Sequence, residues 1–475
     1  MRRPAGLSWV APALLLAGFA LGAVALTFFT RPWETLSYST WPSGFEAGRI
    51  ARNLSAGIGY ASPFLALPGD NFLSDPPDSD NPGTAAPAPQ QAMPGAAPTA
   101  WVTPPYVFLW FMTFALFGVY TPVAVTVFQI GQVVLMTIAL ALAWRLVVRL
   151  RGERTGLLAL ALLVVYPSSW YFAVGDTHGT SLFLVWLVGA LFTLERILAR
   201  ERGPWLVLHA LSVALGILTE PSCLFFFLWL EGWAAFRLLR AVSPRPGAPA
   251  GRPGAAVPGA SSARFLIVTG TALLLVIGPW FVRNAMALRA PVPLKSNLPM
   301  ELFYGNNEES AWNLHEGHLR RFPAWNEEER LRLLAVGEPE YGRQCLLRAA
   351  MFVHEHPIAA VRLTLQRVTF FWSYNPFRTG PWRPFLTILF HLPLGVWLTW
   401  WLLDRRRADW FDDACLGFFL LAPVLYYLTH MMIYRYRYPL EAMLLLACAS
   451  AWGRLAGWTA AIPTASAAAD ITTAA

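Results

Sequence analysis

The chain has 475 residues, of which 56% are hydrophobic and only 13% are charged. Soluble domains carry about 25% charged residues, so this composition predicts an integral membrane protein. The formal net charge of +8 does not indicate nucleic-acid binding, because the basic residues are scattered between apolar runs and form no stripe on one soluble domain. The four cysteines lie far apart in the sequence, a pattern that predicts neither a disulfide framework nor a zinc site.

The first apolar run, 7–29, follows Arg2 and Arg3 and is longer than the core of a signal peptide. It therefore predicts an uncleaved transmembrane helix with a cytoplasmic N-terminus. Arginine clusters after 122–144 and at later run ends are assigned to the cytoplasm by the positive-inside rule. Together the runs predict about ten transmembrane helices. The predicted spans are 7–29, 122–144, 157–173, 181–194, 205–218, 223–236, 265–282, 385–403, 414–429 and 440–452.

The chain divides into regions of different hydropathy. We predict an N-terminal transmembrane module, a long outer region, a group of C-terminal transmembrane helices and a disordered tail, over 1–282, 283–382, 383–457 and 458–475. The first outer loop, 30–121, contains a flexible Pro-rich part and a run at 104–120 that lies along the outer interface or is a further span. Within the outer region, 327–364 is predicted to be partly helical. The predicted fold class is an all-α polytopic membrane protein with outer juxtamembrane helices.

A polar, charged segment at 44–64 comes soon after the first apolar run. Glu46, Arg49 and Asn53 are spaced so that they share one face of a helix. Gly57 is predicted to end that helix. The positive-inside assignments put this segment on the outer side, at the boundary between membrane and water.

Charged residues on the predicted outer side suggest chemistry on an anionic lipid. Glu46 is the candidate base, because a base must lie where an acceptor hydroxyl or amine can reach a donor; its alternative role is an ion pair with Arg49. Arg49 and Arg52 are predicted to contact a lipid phosphate or to anchor the helix against headgroups. Arg435 and Arg437 lie in a very short outer loop, against the positive-inside trend, which favours a functional contact with the phosphate of a lipid carrier.

Two further outer segments carry candidate sugar-binding residues. Glu301, Tyr304 and Asn306 combine a carboxylate, an aromatic ring and an amide, groups that bind sugar hydroxyls, although the Gly-Asn-Asn portion at 305–307 is also a good turn. Asp176 and His178 lie in a short outer loop, where they bind the acceptor or stabilise the loop. The histidines form no convincing ligand set, so no metal is indicated.

Three sequences in a fixed order, EAGRIARNLSAGIGY, TAWVTPPYVFLWFMTFALFG and RYRYPLE, give the chain a family resemblance. It resembles the GT-C superfamily of polytopic glycosyltransferases, in particular bacterial relatives of the protein mannosyltransferases and of the lipid A aminoarabinose transferase. The resemblance covers most of the chain, except the Pro-rich insert and the tail.

The resemblance implies inverting transfer of a sugar from a polyprenyl-phosphate donor to a glycan, lipid or protein acceptor on the periplasmic side of the bacterial inner membrane. It implies a carboxylate base in the first outer loop and no cofactor if arginine stabilises the phosphate. Relatives often carry an acidic residue about two helical turns before the Ile-Ala pair at Ile50, where this chain has Ser43 and Gly44. Glu46 is then the substitute base, and Glu34 is the second choice.

Two other function classes remain open at the level of sequence. A transporter would have ionisable residues near the membrane centre and a repeated half. Only Glu231 and His209 fall inside apolar runs, and no internal repeat is present. A non-catalytic scaffold that retains a GT-C-like fold is the second alternative, because the expected upstream acidic residue is missing.

Overall fold

The computed structural model describes residues 9–30, 45–65, 67, 97–175, 178–201, 203–240, 258–312, 317, 320–373, 383–403, 409–429 and 434–458. Helices make up 83% of these residues, and no β-strand occurs among them. The prediction of an all-α fold is therefore confirmed for the described residues. The predicted tail, most of the Pro-rich insert and Glu34 lie outside the described residues.

The described residues of the first half of the chain form ten helices, most of them apolar. They are α1 (Val10–Thr30), α2 (Phe45–Ser55), α3 (Pro104–Phe117), α4 (Pro122–Arg151), α5 (Glu153–Val165), α6 (Pro167–Val174), α7 (Thr180–Leu198), α8 (Trp205–Thr219), α9 (Leu224–Arg240) and α10 (Pro258–Leu288). A short 3₁₀ turn, Pro221–Cys223, joins α8 to α9.

The second half contains a group of shorter, more polar helices followed by the last apolar ones. They are α11 (Leu298–Gly305), α12 (Glu308–Trp312), α13 (Glu327–Val336), α14 (Glu338–Glu355), α15 (Pro357–Trp372), α16 (Arg383–Leu403), α17 (Trp410–Leu421), α18 (Val424–Thr429) and α19 (Tyr434–Leu455).

Six helical segments are long and apolar enough to cross a membrane, as judged over the described residues alone. They are Val10–Thr30, Pro122–Arg151, Thr180–Leu198, Pro221–Arg240, Ser262–Leu288 and Trp410–Thr429. The pair α5 and α6 makes a seventh if it is counted as one span, although it bends by 60°. That bend divides the predicted span 157–173 at Pro167, whose ring prevents a continuous helix.

One apolar core joins most of the long helices. It contains Phe19 of α1, Met136 of α4, Leu191 of α7 and Phe418 of α17. Most of the described side chains in the first half of α19 are buried, so this last helix lies inside the bundle. In contrast, α10 has only 17% of its most apolar window buried, which leaves most of its surface for lipid.

A second, smaller core lies in the polar region that follows α10. Trp101 packs against Phe64 and Phe322, with ring centroids 4.7 Å and 6.0 Å apart respectively. Tyr304 and Tyr341 belong to the same cluster. This core joins the segment after α2 to α11 and α14, and so fixes the polar helices against the end of the bundle.

The prediction that 327–364 is partly helical is confirmed. The segment forms three helices because Gly337 adopts a positive φ of 81° between α13 and α14, and Pro357 begins α15 immediately after His356. A residue with a Cβ rarely adopts that φ, so glycine marks the first break. Proline favours the first position of the next helix, which marks the second.

Candidate functional site

The ends of several helices surround one cavity of about 330 Å³. It lies where α7 begins, α8 ends, α9 begins and α18 ends, so these four helix ends meet at the same end of the bundle. The lining residues are Glu46, Ala47, Val102, Tyr106, His178, Gly179, Thr180, Thr219, Glu220, Pro221, Ser222, Leu224, Phe225, Pro293, Leu294, Lys295, Asn297, Leu298, Glu301, Leu425, Tyr426, Thr429 and Tyr436.

Glu46 lies in the first turn of α2, half-buried, and lines the cavity as a carboxylate. Its Oε1 accepts a hydrogen bond of 2.6 Å from the indole Nε1 of Trp101. Because Trp101 is itself clamped between Phe64 and Phe322, this hydrogen bond orients the carboxylate at the cavity wall.

The rest of the predicted α2 face is turned into the protein. Asn53 is buried, and its Nδ2 donates to the carbonyls of Ala61 (3.3 Å) and Ser62 (3.1 Å). Arg49 is buried on the same face. The helix ends at Ser55, before glycines in the left-handed region, as predicted. These contacts fix α2 rigidly against the following loop.

Glu220 supplies a second carboxylate from the break between α8 and the 3₁₀ turn. Its Oε1 accepts a 2.7 Å hydrogen bond from Ser222 Oγ and a longer one of 3.4 Å from the hydroxyl of Tyr426. The hydroxyls of Ser222 and Tyr426 are also hydrogen-bonded to each other. The ring of Tyr426 stacks on Tyr436 with centroids 4.3 Å apart, so an aromatic pair adjoins this carboxylate.

Glu301 brings a third carboxylate from the first turn of α11. It is buried, and its Oε1 accepts a 3.3 Å hydrogen bond from Asn297 Nδ2. Both residues line the cavity. Three carboxylates from α2, the α8–α9 break and α11 therefore meet around one volume, and each can accept a hydrogen bond or a proton from a ligand hydroxyl.

The other predicted sugar-binding residues lie in different places. His178 lines the cavity, whereas Tyr304 and Asn306 are not among its lining residues. Tyr304 is fully buried in the second core, and this burial raises its pKa well above the usual value. Asn306 Nδ2 donates to the carbonyls of Leu302 and Leu428, which gives it a packing role. Asp176 lies outside the described residues.

Three of the arginines predicted to bind phosphate, Arg49, Arg52 and Arg437, are buried and are not among the residues that line the cavity. Arg52 Nη2 donates to the side chain of Asn53 (3.1 Å) and to a loop carbonyl. Arg437 Nε forms a 2.9 Å ion pair with Glu441, and its Nη1 donates to the carbonyls of Phe371 and Ser373. The side chain of Arg435 lies outside the described residues.

One basic residue that the sequence interpretation overlooked does line the cavity. Lys295 lies in the segment between α10 and α11, and it is half-buried. It is the only lysine among the 36 lysine and arginine residues of the chain. It forms no ion pair with any carboxylate in the part of the chain that the structure describes. Its uniqueness in the sequence is a signal that sequence reasoning could have used.

Neither a metal-binding group nor a known relative assigns a function to the cavity. Among the described residues no group of three or more His, Cys, Asp or Glu is arranged to hold a metal ion. Comparison of the chain with protein-family models, curated proteins and solved structures finds no match.

Proposed function

We propose that this chain is an integral membrane glycosyltransferase that moves a sugar from a polyprenyl-phosphate donor to an acceptor hydroxyl or amine. The observation that carries the proposal is the meeting of Glu46, Glu220 and Glu301 around one cavity at the end of an apolar helical bundle. A lipid-linked donor can place its headgroup in such a cavity while its chain stays in the membrane. The sequence resemblance to the GT-C superfamily supports the same reaction.

The proposed orientation puts the cavity on the periplasmic side of a bacterial inner membrane and the N-terminus in the cytoplasm. In this arrangement α5 and α6 together, α8, α16 and α19 complete ten spans with the six helical segments of sufficient length. The arginine clusters at the opposite ends of these helices support this orientation.

In the proposed reaction, the acceptor oxygen or nitrogen attacks the anomeric carbon and forms the new glycosidic bond. The bond between that carbon and the phosphate oxygen breaks, and the polyprenyl phosphate leaves with the electron pair. A cavity carboxylate accepts the proton of the acceptor. Attack from the face opposite the leaving group inverts the anomeric centre.

The test is transfer of a radiolabelled sugar from polyprenyl-phosphate donors by purified protein, with the variants Glu46→Gln, Glu220→Gln and Glu301→Gln. Loss of a general base lowers the rate about 10²- to 10⁴-fold, so we expect at least one variant to lose that much activity. Glu340→Gln is the matched control, because Glu340 pairs with Arg343 on an exposed surface. Wild-type rates in all three cavity variants would exclude a carboxylate base in this cavity.

A transporter is the second candidate, and one buried pair favours it. His209 Nε2 lies 2.8 Å from Glu231 Oε1, between α8 and α9, and ionisable residues inside a membrane are often functional. His209 Nδ1 also lies 2.9 Å from the carbonyl of Ala190, so the pair holds three helices together. Movement of a lipid-linked sugar across the membrane of proteoliposomes, without transfer of the sugar to any acceptor, would favour a transporter and contradict the proposed glycosyltransferase.

A further inference from the structure

Lys295 differs from every other basic residue of the chain in its chemistry. Arginine occupies all other basic positions, including those at the helix ends and within the buried ion pairs. The ammonium group of lysine is a compact charge on a flexible stem and can move toward a ligand, whereas the planar guanidinium group of arginine favours fixed, bidentate contacts. A single lysine placed in the cavity is therefore not explained by a general need for positive charge.

The surroundings of Lys295 leave its charge available. The cavity contains Glu46, Glu220 and Glu301, yet Lys295 forms an ion pair with none of them. Glu46 accepts from Trp101 and Glu220 accepts from Ser222, so two of these carboxylates are oriented by neutral donors.

A helix N-terminus adds positive potential beside Lys295. The helix α11 begins at Leu298, and both Leu298 and its N-cap residue, Asn297, line the cavity. The side chain of Asn297 does not cap this N-terminus, and Pro299 in the first turn carries no N–H. The first N–H groups of a helix carry a partial positive charge that attracts anions. Glu301 in the first turn reduces this potential, and Lys295 is the one lysine or arginine among the described residues that line the cavity, so its ammonium group supplies the local positive charge for an anionic ligand.

We propose that Lys295 is the anion-binding residue of the cavity and that it binds a phosphate group of the ligand. A phosphate offers several charged oxygens, which suit a mobile ammonium group next to helix N–H groups. The identity of that phosphate as part of a polyprenyl-phosphate donor rests on the proposed function. The binding of a phosphate by Lys295 does not.

The uniqueness of Lys295 provides the test, because an amine-reactive acylating reagent has one side-chain target in the whole chain. Full-length protein in detergent is acylated with an N-hydroxysuccinimide acetate, and modification of Lys295 is followed by mass spectrometry of peptides. Lys295→Arg has no lysine and gives the background from the terminal amine. We expect undecaprenyl phosphate to slow acylation of Lys295 at least about tenfold, the effect of one charge-assisted contact.

Three matched ligands separate the possible causes of protection. Undecaprenol has the same chain without phosphate, so equal protection by it would overturn the proposal by showing that the tail merely blocks access. Inorganic phosphate at the same concentration tests a soluble source. If it protects as well as the lipid does, Lys295 is confirmed as a phosphate site, and the lipid assignment is lost. If neither undecaprenyl phosphate nor inorganic phosphate slows the acylation of Lys295, the proposal is overturned.

A binding measurement with two variants gives an independent readout. Lys295→Gln removes the charge and keeps a polar side chain, and we expect it to weaken undecaprenyl phosphate binding about tenfold or more. Lys295→Arg keeps the charge and is expected to retain most of that binding. If Lys295→Gln binds as tightly as wild type while sugar transfer persists, the proposal for Lys295 fails and the proposed function stands. If undecaprenyl phosphate protects Lys295 but neither wild type nor any variant transfers sugar, the proposal for Lys295 stands and the proposed function fails.

Discussion

Arg367 lies inside the protein with its guanidinium group turned toward backbone carbonyls. Its Nη1 donates to the carbonyls of Tyr427 (3.3 Å) and Leu428 (3.1 Å), and its Nη2 donates to the carbonyl of Gly305 and to Asn306 Oδ1. Burial lowers its pKa to about 10, so it stays protonated at neutral pH. It thus joins α18 to the end of α11, the helices that carry two walls of the cavity.

We expect Arg367→Met to destabilise the protein by about 3 kcal/mol. The apolar side chain fills much of the same space but leaves several buried carbonyls without donors, and each such loss costs about 1–3 kcal/mol. Thermal unfolding in detergent measures the change. Arg362→Met is the control, because Arg362 lies on the exposed face of the same helix. Equal melting temperatures of the two variants would show that Arg367 does not join the walls.

The helices and loops around the cavity are held together by one buried carboxylate. Glu338, the first residue of α14, accepts hydrogen bonds from the backbone N–H of Ala100 (2.9 Å), from Ser296 Oγ (2.6 Å) and from Thr99 Oγ1. Lys295 immediately precedes Ser296. Burial raises the pKa of Glu338 above its usual value of 4.5, and these hydrogen bonds oppose the shift only in part.

The raised pKa of Glu338 predicts a specific pH dependence of stability. Since its folded-state pKa exceeds the unfolded value, its stabilising contribution is complete below about pH 4.5 and is lost as pH rises through the folded-state pKa. The melting temperature of wild type, taken relative to Glu338→Gln, should therefore fall as pH increases above about 4.5. A difference that is constant with pH, or that grows as pH rises, would contradict this assignment.

At the scale of elements, the apolar runs predicted which segments are helical better than they predicted where each helix begins and ends. The helix α2 was predicted from its spacing and its glycines, because both signals are local. The helix α10 begins at Pro258, before the predicted span 265–282, because the Pro, Gly and Ala residues that precede this span carry no apolar pattern and fit a loop as well as a helix. Proline at the first turn is compatible with either interpretation.

The site was predictable only in part for a related reason. Glu46, His178 and Glu301 each lie in polar segments next to apolar runs, and such segments stand out in a sequence. Glu220 and Lys295 can be assigned to one site only from the fold, in which the α8–α9 break and the segment before α11 approach each other. No local pattern reports that approach.

At the scale of the whole molecule, the cavity and a buried ion network occupy opposite ends of α19. The network contains Asp412, whose Oδ2 lies 2.6 Å from Arg454 Nη2 and 3.7 Å from Arg151 Nη2. Asp409 forms a 2.6 Å ion pair with Arg151 and caps α17 through a capping box with Asp412. The network connects α4, α17 and α19 at the end of the bundle opposite the cavity. A substitution in the network should therefore lower the stability of the protein without weakening ligand binding in the cavity.

We expect Asp412→Asn to lower the free energy of unfolding by about 3–5 kcal/mol, because it leaves two arginines in a buried site with one carboxylate fewer. Asp413→Asn is the control, since Asp413 is only half-buried and lies 3.3 Å from Arg237 near the surface. Below its melting temperature, the Asp412→Asn protein should still show protection of Lys295 by undecaprenyl phosphate. Loss of that protection in a folded variant would mean that the two ends of the bundle are coupled, and that the cavity depends on the packing of the whole helix bundle.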